Sequence, residues 1–324
     1  MPFTDMPHAR NPERDWVGTA NHYVALPDAD YYYSNFASPS YRYRRLIELF
    51  DGTAEPTVDD HWAWQLDARN LLAESIAPIF AEALSAHDAT RDLGEILAAW
   101  DHVDAVDAAA PLVFQETMRQ LALATFRDEL GESVADVMLD DWYFWQERFE
   151  RMVLDGRSTW FDDVSTAETE TLPELIRRAG EAARTRLAPE VGPDPRDWRW
   201  GDVHHLTFTD AIRRDGPGAR WLGSGPHPAP GSGETLHRGW YDFPEPFGIT
   251  HTASLRMVID LGDPEKVRAV LPGGVAGRLF HPHRTDQIDD FVDGSVLHWW
   301  FSDRAIDLHA EHRLRLVPVA ASAP

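Results

Sequence analysis

The sequence contains no cysteine among its 324 residues. This absence excludes disulfide bonds, thiolate nucleophiles and cysteine-ligated zinc centres. No apolar run approaches the roughly 18 residues of a transmembrane helix. The opening stretch MPFTDMPHARNPERDW also lacks the basic and apolar regions of a signal peptide. Any chemistry must therefore come from carboxylates, amides, imidazoles, guanidiniums and hydroxyls.

Lysine is nearly absent, because Lys266 is the only one among 30 basic residues. The 54 acidic residues give a net charge of −24, which repels nucleic acids and anionic membranes, so neither is expected as a partner. A surface of this kind favours a protein adapted to high salt, where screening weakens self-repulsion. The alternatives are a high-GC codon bias toward arginine and an ordinary soluble acidic surface.

The pattern along the chain predicts three regions, with boundaries at 1–40, 41–195 and 196–324. The first is predicted to be loop and short strand, because prolines recur around the β-prone stretch DWVGTANHYVAL. The second is helical, and two of its helices begin with capping-box patterns, Thr57-x-x-Asp60 and Thr171-x-x-Glu174. The first of these opens the stretch TVDDHWAWQLDARNLLAESIAPIFAEAL.

The third region alternates short strands with Gly/Pro turns. The predicted strands are HHLTFTD, ASLRMVIDL, KVRAVLP, SVLHWWFS and HRLRLVPV, and GSGPHPAPGSGET is predicted to be a loop. We therefore expect an α+β fold in which the two ends share one sheet system and the helices form a large insertion between them. The three regions would then make one discontinuous domain.

Asn21, in the stretch VGTANHYV, is the first candidate for chemistry. An amide at the end of a β-prone run commonly caps a turn. The functional alternative is an oxyanion-hole donor, in which a side-chain N–H points at developing negative charge. Spacing alone favours the turn.

Three arginines follow where a helix is predicted to begin, in SYRYRRLIELF. Arginine is unfavourable at a helix N-terminus because it opposes the helix dipole. Arg42, Arg44 and Arg45 could form surface salt bridges with Asp28, Asp30 or Glu48. Alternatively, one of them is held near a site that needs a fixed positive charge.

Two further stretches have both a structural and a functional interpretation. In LPGGVAGRLFHPHRTDQ, the glycines Gly273, Gly274 and Gly277 predict a tight or positive-φ backbone. The histidines and aspartate of that loop, together with His204 and His205, suggest a metal site only weakly, since no H-E-x-x-H pattern is present. The paired tryptophans of DWRWGDVHHLTF indicate core packing, or less often aromatic substrate stacking. The metal candidates of the loop are His281, His283 and Asp286.

Taken in order, several stretches resemble the penicillin acylase family of N-terminal nucleophile (Ntn) hydrolases. They are the run from PFTDMPHARNP through TANHYV to SYRYRRLIELF, then WQLDARNLLAESIAPIF, AAWDHVDAVDAAAPLVF, WFDD, WRWGDVHHLTF, GITHTASLRMVIDLGD and LPGGVAGRLFHPHRTDQ. The resemblance covers nearly the whole chain, but only the C-terminal part of the family's β chain.

The resemblance implies an amide hydrolase built as a four-layer αββα sandwich. In that family an N-terminal serine attacks the amide carbonyl while its own α-amine acts as the base. The family's oxyanion asparagine falls on Asn21, and its arginine near the active centre falls on Arg42. No cofactor is implied for catalysis. A structural calcium is implied for the complete enzyme, but the region Asp28 to Asn35 aligns too poorly to assign a ligand.

The sequence departs from the family pattern in two places. None of the 20 residues before Asn21 is serine, so the nucleophile is expected on a missing N-terminal portion, which would be the partner of this chain. In the glycine-rich loop, Val275, Ala276, His281 and Arg284 replace the usual family residues. The chain alone is accordingly expected to be inactive toward its small acyl-amide substrate.

Three functions remain open at this point. The first is the C-terminal portion of an amidohydrolase that cleaves a linear amide bond, with β-lactams, acyl-homoserine lactones and lipopeptides as possible substrates. The second is a non-catalytic binding or scaffold remnant of the family. The third is a His/Asp metal hydrolase. The resemblance favours export from the cell, because family members are commonly exported.

Overall fold

A computed structural model describes residues 2–24, 32, 34, 36–209, 223–265 and 267–318. The described chain divides into two compact units. Unit 1 comprises Met1–Pro56 and Ala63–Ala253, and unit 2 comprises Thr57–Trp62 and Ser254–Pro324. No helix in the described residues is long and apolar enough to cross a membrane.

Ten α-helices and five β-strands are described, so the fold is α+β. The helices are α1 Tyr41–Asp51, α2 Val58–Trp64, α3 Leu71–Ser85, α4 Arg91–Ala98, α5 Ala110–Leu130, α6 Glu132–Asp140, α7 Gln146–Asp155, α8 Leu172–Val191, α9 Ile288–Asp293 and α10 Asp303–His309. The strands are β1 His205–Phe208, β2 Ser224–Pro228, β3 Arg256–Val258, β4 Val267–Val270 and β5 Leu297–Trp299.

The core of unit 1 is helical, and α3, α5 and α8 supply much of it. Ile76, Phe80 and Phe114 have no exposed side-chain surface, and the two phenyl rings lie 5.7 Å apart. Burial of aliphatic and aromatic side chains of this size contributes roughly 1.5–3 kcal/mol each. This core fixes the start of α1 and the segment after α6, where the candidate site lies.

Both capping boxes are confirmed. The Thr57 backbone N–H donates to Asp60 Oδ2 at 2.8 Å, and the Thr171 backbone N–H donates to Glu174 Oε2 at 2.8 Å. The stretch after Thr57 is nevertheless two helices, α2 and α3. Asn70 separates them, because its side-chain oxygen accepts from the Ala73 backbone N–H at 3.0 Å and so starts a new helix.

Three sequence predictions about strands are wrong. Within the described residues the β-prone stretch around Asn21 forms only an isolated bridge between His22 and Ser38, so the two ends share no sheet. Residues 224–228, predicted to be loop, pair antiparallel with β1 as β2, because backbone hydrogen bonding overrides their poor strand propensity. The described part of HRLRLVPV has no strand partner and is irregular.

Unit 2 is built around an antiparallel sheet with strand order β3-β4-β5. Its glycine-rich loop confirms the prediction of a tight backbone. A Cβ at Gly274 would lie 2.3 Å from the carbonyl oxygen of His283, and Gly273 has a φ of 155°. The changed residues do not break the loop, because the Ala276 backbone N–H donates to the same His283 oxygen at 2.9 Å.

Candidate active site

Asn21 occupies a turn in the left-handed region, with a φ of 63°. Asparagine tolerates this conformation better than most residues because its short polar side chain bonds locally. The Ser38 backbone N–H donates to the Asn21 carbonyl oxygen at 2.7 Å and ties the turn to the approach to α1. The turn interpretation of Asn21 therefore holds for its backbone, while its exposed side chain is engaged elsewhere.

The side-chain partner of Asn21 is Arg42, in the first turn of α1. Arg42 Nη2 lies 2.7 Å from the Ala20 carbonyl oxygen and 3.3 Å from Asn21 Oδ1. It also lies 3.4 Å from Ser38 Oγ. Burial lowers the pKa of Arg42, yet a guanidinium stays charged at any physiological pH. The structure thus brings together the two residues to which the resemblance assigned site roles.

Tyr143 and Arg238 complete this cluster, and the sequence alone did not identify either. The Tyr143 hydroxyl accepts from Arg42 Nη2 at 3.3 Å and from Arg238 Nη1 at 3.1 Å. The Arg238 guanidinium also lies over the Tyr143 ring, 5.1 Å from its centroid. Burial opposes ionisation of the phenol, but the Arg238 and Arg42 charges prevail and lower the pKa of Tyr143.

Carboxylates of α7 hold the first turn of α1 in place. Glu147 Oε1 accepts from the Ser40 backbone N–H at 2.8 Å, and Glu150 Oε2 accepts from the Tyr41 hydroxyl at 3.0 Å. Negative charge at a helix N-terminus is favourable and offsets the arginines that crowd this turn. Tyr143, Glu147 and Glu150 recur at spacings of four and three, which is the periodicity of one helical face. That spacing in YFWQERFE is the signal that could have indicated the contact.

A buried polar layer lies next to Tyr143. Gln146 donates to Glu234, and the Tyr241 hydroxyl donates to Gln115 Oε1 at 2.9 Å. Both Gln146 and Glu234 are about 5% exposed. They line a small pocket together with Tyr143 and Tyr241. Among the described residues that line this pocket there are hydrogen-bonding groups but no further cation.

The other two arginines of the α1 start behave differently. Arg45 forms a two-point contact with Asp67, at 3.1 and 2.7 Å, and pairs with Glu48 at 3.0 Å. The predicted salt bridge with Glu48 is therefore confirmed, while Asp28 and Asp30 lie outside the described residues. Arg44 is exposed. Only Arg42 is directed to the Asn21 turn.

The paired tryptophans are core residues, as their structural interpretation predicts. Trp198 and Trp200 are 1% and 0% exposed, and each indole N–H donates to a backbone carbonyl. The Trp200 ring stacks on His204 at 4.3 Å. Burial lowers the pKa of His204 to about 3, in spite of the hydrogen bond that its Nδ1 donates to the Phe247 carbonyl, so this imidazole is neutral. His204 is thus a packing residue.

The histidine loop of unit 2 does not form a metal centre by itself. His283 Nδ1 lies 2.7 Å from Asp286 Oδ2, and both side chains are exposed. The described ranges contain no group of three or more His, Asp or Glu side chains arranged to hold a metal ion. Most of the stretch from Asp28 to Asn35, where the resemblance would place a calcium ligand, lies outside the described residues.

Comparison with known proteins gives concordant results. The chain is similar to the acyl-homoserine lactone acylase QuiP of Pseudomonas aeruginosa, with 24% identity over 96% of this chain and 40% of the relative. It is also similar to the penicillin acylase 2 proenzyme of Pseudomonas sp. (strain SE83), with 25% identity over 98% of this chain and 40% of the relative. The chain thus spans about 40% of the length of these relatives.

A solved structure has a similar fold. The thermostable penicillin G acylase from Alcaligenes faecalis matches 100% of this chain and 60% of its own, with a TM-score of 0.64 and 16% sequence identity. The family model described as penicillin amidase matches residues 1–308. The chain therefore belongs to the penicillin amidase family.

Proposed function

We propose that this chain supplies the oxyanion-stabilising part of an acylase that cleaves a linear amide bond. The observation that carries the proposal is the contact between Arg42 Nη2 and Asn21 Oδ1 at 3.3 Å. A guanidinium only donates hydrogen bonds, so the amide oxygen of Asn21 must face Arg42. The Nδ2 amino group is then left for another acceptor, which is the requirement for an oxyanion-hole donor.

Arg42 has a second role in the proposal. Its strongest contact, 2.7 Å to the Ala20 carbonyl oxygen, holds the backbone immediately before Asn21. The same guanidinium places a fixed positive charge beside the position where an oxyanion would form. Electrostatic stabilisation by groups that are already oriented costs no reorganisation during the reaction. Asn21 is thus the donor, and Arg42 orients it and adds charge.

We place the nucleophile on a segment outside these 324 residues, because no serine precedes Asn21 and the family resemblance puts the nucleophilic serine upstream of this asparagine. The serine Oγ attacks the carbonyl carbon and its proton passes to the serine's own α-amine. The tetrahedral oxyanion collapses, the C–N bond breaks, and the amine leaves with that proton. Water then releases the acyl group from the serine and regenerates the enzyme.

The proposal extends to fold and partner. The α+β chain would form the C-terminal part of an αββα sandwich, and its partner is the segment that carries the serine. The relatives' names supply two substrates to test, an N-acyl-homoserine lactone and a penicillin. Each substrate contains a linear amide bond between an acyl group and an amine, so the same oxyanion geometry would serve both.

The test is reconstitution. The 324-residue chain is purified alone and together with the serine-bearing segment of the same protein, and amine release from both substrates is measured. We expect turnover only from the assembled enzyme, and loss of that turnover when the nucleophilic serine is replaced by alanine. Turnover by the 324-residue chain alone would overturn the placement of the nucleophile. A stable assembly without turnover would favour the non-catalytic scaffold instead.

A further inference from the structure

We propose that Tyr143 and Arg238 are positioning residues that fix Arg42 and, through it, the Asn21 turn. This inference rests on the proposed function for its catalytic consequence. Its structural content can be tested on the 324-residue chain without any activity. Neither residue lies near Arg42 in the sequence, since Tyr143 is 101 positions away and Arg238 lies further still along the chain.

Arg42 Nη2 has more acceptors around it than it has hydrogens. This nitrogen carries two hydrogens but has four acceptors within 3.4 Å, namely Ala20 O, Asn21 Oδ1, Ser38 Oγ and the Tyr143 hydroxyl. Ala20 O is the near one at 2.7 Å, and the other three are at 3.3–3.4 Å. Three acceptors therefore compete for the second hydrogen. A group outside this competition is needed to hold the guanidinium in one orientation.

Arg238 limits that competition. Arg238 donates to the Tyr143 hydroxyl at 3.1 Å and its guanidinium lies over the Tyr143 ring, so it holds the phenol at two points. The Ser38 hydroxyl in turn donates to the phenolic oxygen, a contact that helps to lower the pKa of Tyr143 because it stabilises the ionised form. Ser38 is also the residue whose N–H holds the Asn21 carbonyl at 2.7 Å.

These contacts close a ring of four residues. Arg42 contacts Asn21, the Asn21 carbonyl accepts from Ser38, Ser38 contacts Tyr143, and Tyr143 accepts from Arg42. Removal of the phenolic oxygen breaks two contacts of this four-residue cycle at once, the one with Arg42 and the one with Ser38. Cyclic networks of this kind hold their members more firmly than isolated bonds, because each contact restricts the next.

The four-residue cycle of contacts also has an unusual distribution of charge. Two guanidiniums meet at one phenol, and no carboxylate lies within salt-bridge distance of either in the described part of the chain. The acids that line the adjoining pocket are Glu234 and Asp140. The phenol oxygen is thus the acceptor shared by both cations, and it keeps them together where repulsion would separate them.

The test compares Tyr143→Phe and Arg238→Gln with the matched control Tyr241→Phe. The control removes a hydroxyl that lines the same pocket but bonds to Gln115. Hydrogen exchange of the Ser38 amide is measured in the 324-residue chain. We expect exchange about tenfold faster in both test variants, as for loss of one hydrogen bond to a charged group, and parent-like exchange in the control. Equal exchange in all four proteins would overturn the proposal.

A second measurement separates positioning from packing. Phenol ionisation is followed by ultraviolet absorbance, and the difference between parent and Tyr143→Phe isolates Tyr143 among the 8 tyrosines. Arg238→Gln should raise the pH at which this phenol ionises, and Arg238→Lys should restore much of the parent value, because the charge returns. An ionisation unaffected by either substitution would refute the shared-acceptor role.

The catalytic consequence is measured in the assembled acylase. Tyr143→Phe should lower kcat about tenfold and leave KM near the parent value, because the substrate ground state does not need the oxyanion donor. A change in KM alone would overturn this part. If the parent assembly has no activity, the proposed function fails, while the exchange and absorbance results still decide whether Tyr143 and Arg238 hold the Asn21 turn.

Discussion

Arg42 donates to the side-chain oxygen of Asn21 across 3.3 Å, and this contact fixes which end of the amide faces away from the guanidinium. Asn21 Nδ2 makes no hydrogen bond within the described part of the chain. An amide whose oxygen is engaged and whose N–H is free has the polarity that an oxyanion requires. The same residue in the opposite orientation would present a carbonyl and repel the developing charge.

The first prediction concerns this donor. Asn21→Asp keeps the shape of the side chain but replaces the N–H donor with a negative oxygen. We expect kcat of the assembled acylase to fall by at least about 10²–10³, the effect of removing an oxyanion-hole donor. Asn11→Asp is the matched control, because Asn11 is also exposed and has a positive φ of 47°. Comparable loss in both variants would show that the turn conformation matters and the donor does not.

The second prediction concerns the shape of the cation at position 42. Arg42→Lys retains the charge but loses the fork that reaches Ala20 and Asn21 together, so kcat should fall about tenfold or more. Arg44→Lys, on the exposed side of the same helix turn, should leave kcat unchanged. Steady-state kinetics of both variants decide the point. Full activity of Arg42→Lys would mean that charge alone is sufficient there.

Local features of this fold were predictable because local sequence determines them. The capping boxes at Thr57 and Thr171 depend on residues three positions apart, and both form. The burial of Trp198 and Trp200 likewise follows from their size and apolar character. Strand β2 was missed because its residues, SGPHP, are poor strand formers and are held by pairing with β1.

The site was predictable only in part, for a related reason. Family resemblance identified Asn21 and Arg42, and the structure shows them in contact. Tyr143 and Arg238 come from distant parts of the chain, and no local pattern states that they meet Arg42. The spacing of Tyr143, Glu147 and Glu150 indicates one shared face, but it does not state which distant segment that face contacts. The α7 carboxylates Glu147 and Glu150 illustrate this, since their partners Ser40 and Tyr41 lie more than 100 residues upstream.

The third prediction tests the packing behind Arg238. A Cβ at Gly239 would lie 2.4 Å from His204 Nε2, and this ring cannot withdraw because it stacks on Trp200 and bonds to the Phe247 carbonyl. Gly239→Ala should therefore lower the free energy of unfolding by about 1–3 kcal/mol. Gly248→Ala is the control, since nothing lies within 4 Å of a Cβ there. Urea denaturation measures both, and equal stability of the two variants would contradict the contact.

The fourth prediction uses the buried carboxyl of Asp104, whose side chain is 0% exposed. Burial raises the pKa of Asp104 from 3.8 to about 7, with the Glu234 charge adding to the shift and hydrogen bonds from Ser232 and Asn70 opposing it. The folded state therefore binds this proton more tightly than the unfolded state. The stabilisation is complete below pH 3.8 and is lost as the pH rises toward about 7. The free energy of unfolding falls by about 4 kcal/mol in total, since each pKa unit corresponds to about 1.36 kcal/mol.

Asp104→Asn removes this titration and keeps the side-chain shape, including an oxygen for Asn70 Nδ2, which now bonds to Asp104 Oδ2 at 3.1 Å. The variant should match the parent at about pH 3.5 and exceed its free energy of unfolding at about pH 8, because only the parent loses the stabilisation of a buried, protonated acid as the pH rises. Asp107→Asn, an exposed position nearby, is the control and should follow the parent at both values. Urea denaturation at the two pH values gives the comparison. Equal destabilisation of Asp104→Asn at both pH values would contradict this prediction. It would mean that the parent carboxyl is ionised in the folded state and that the buried layer beside Glu234 holds a second negative charge.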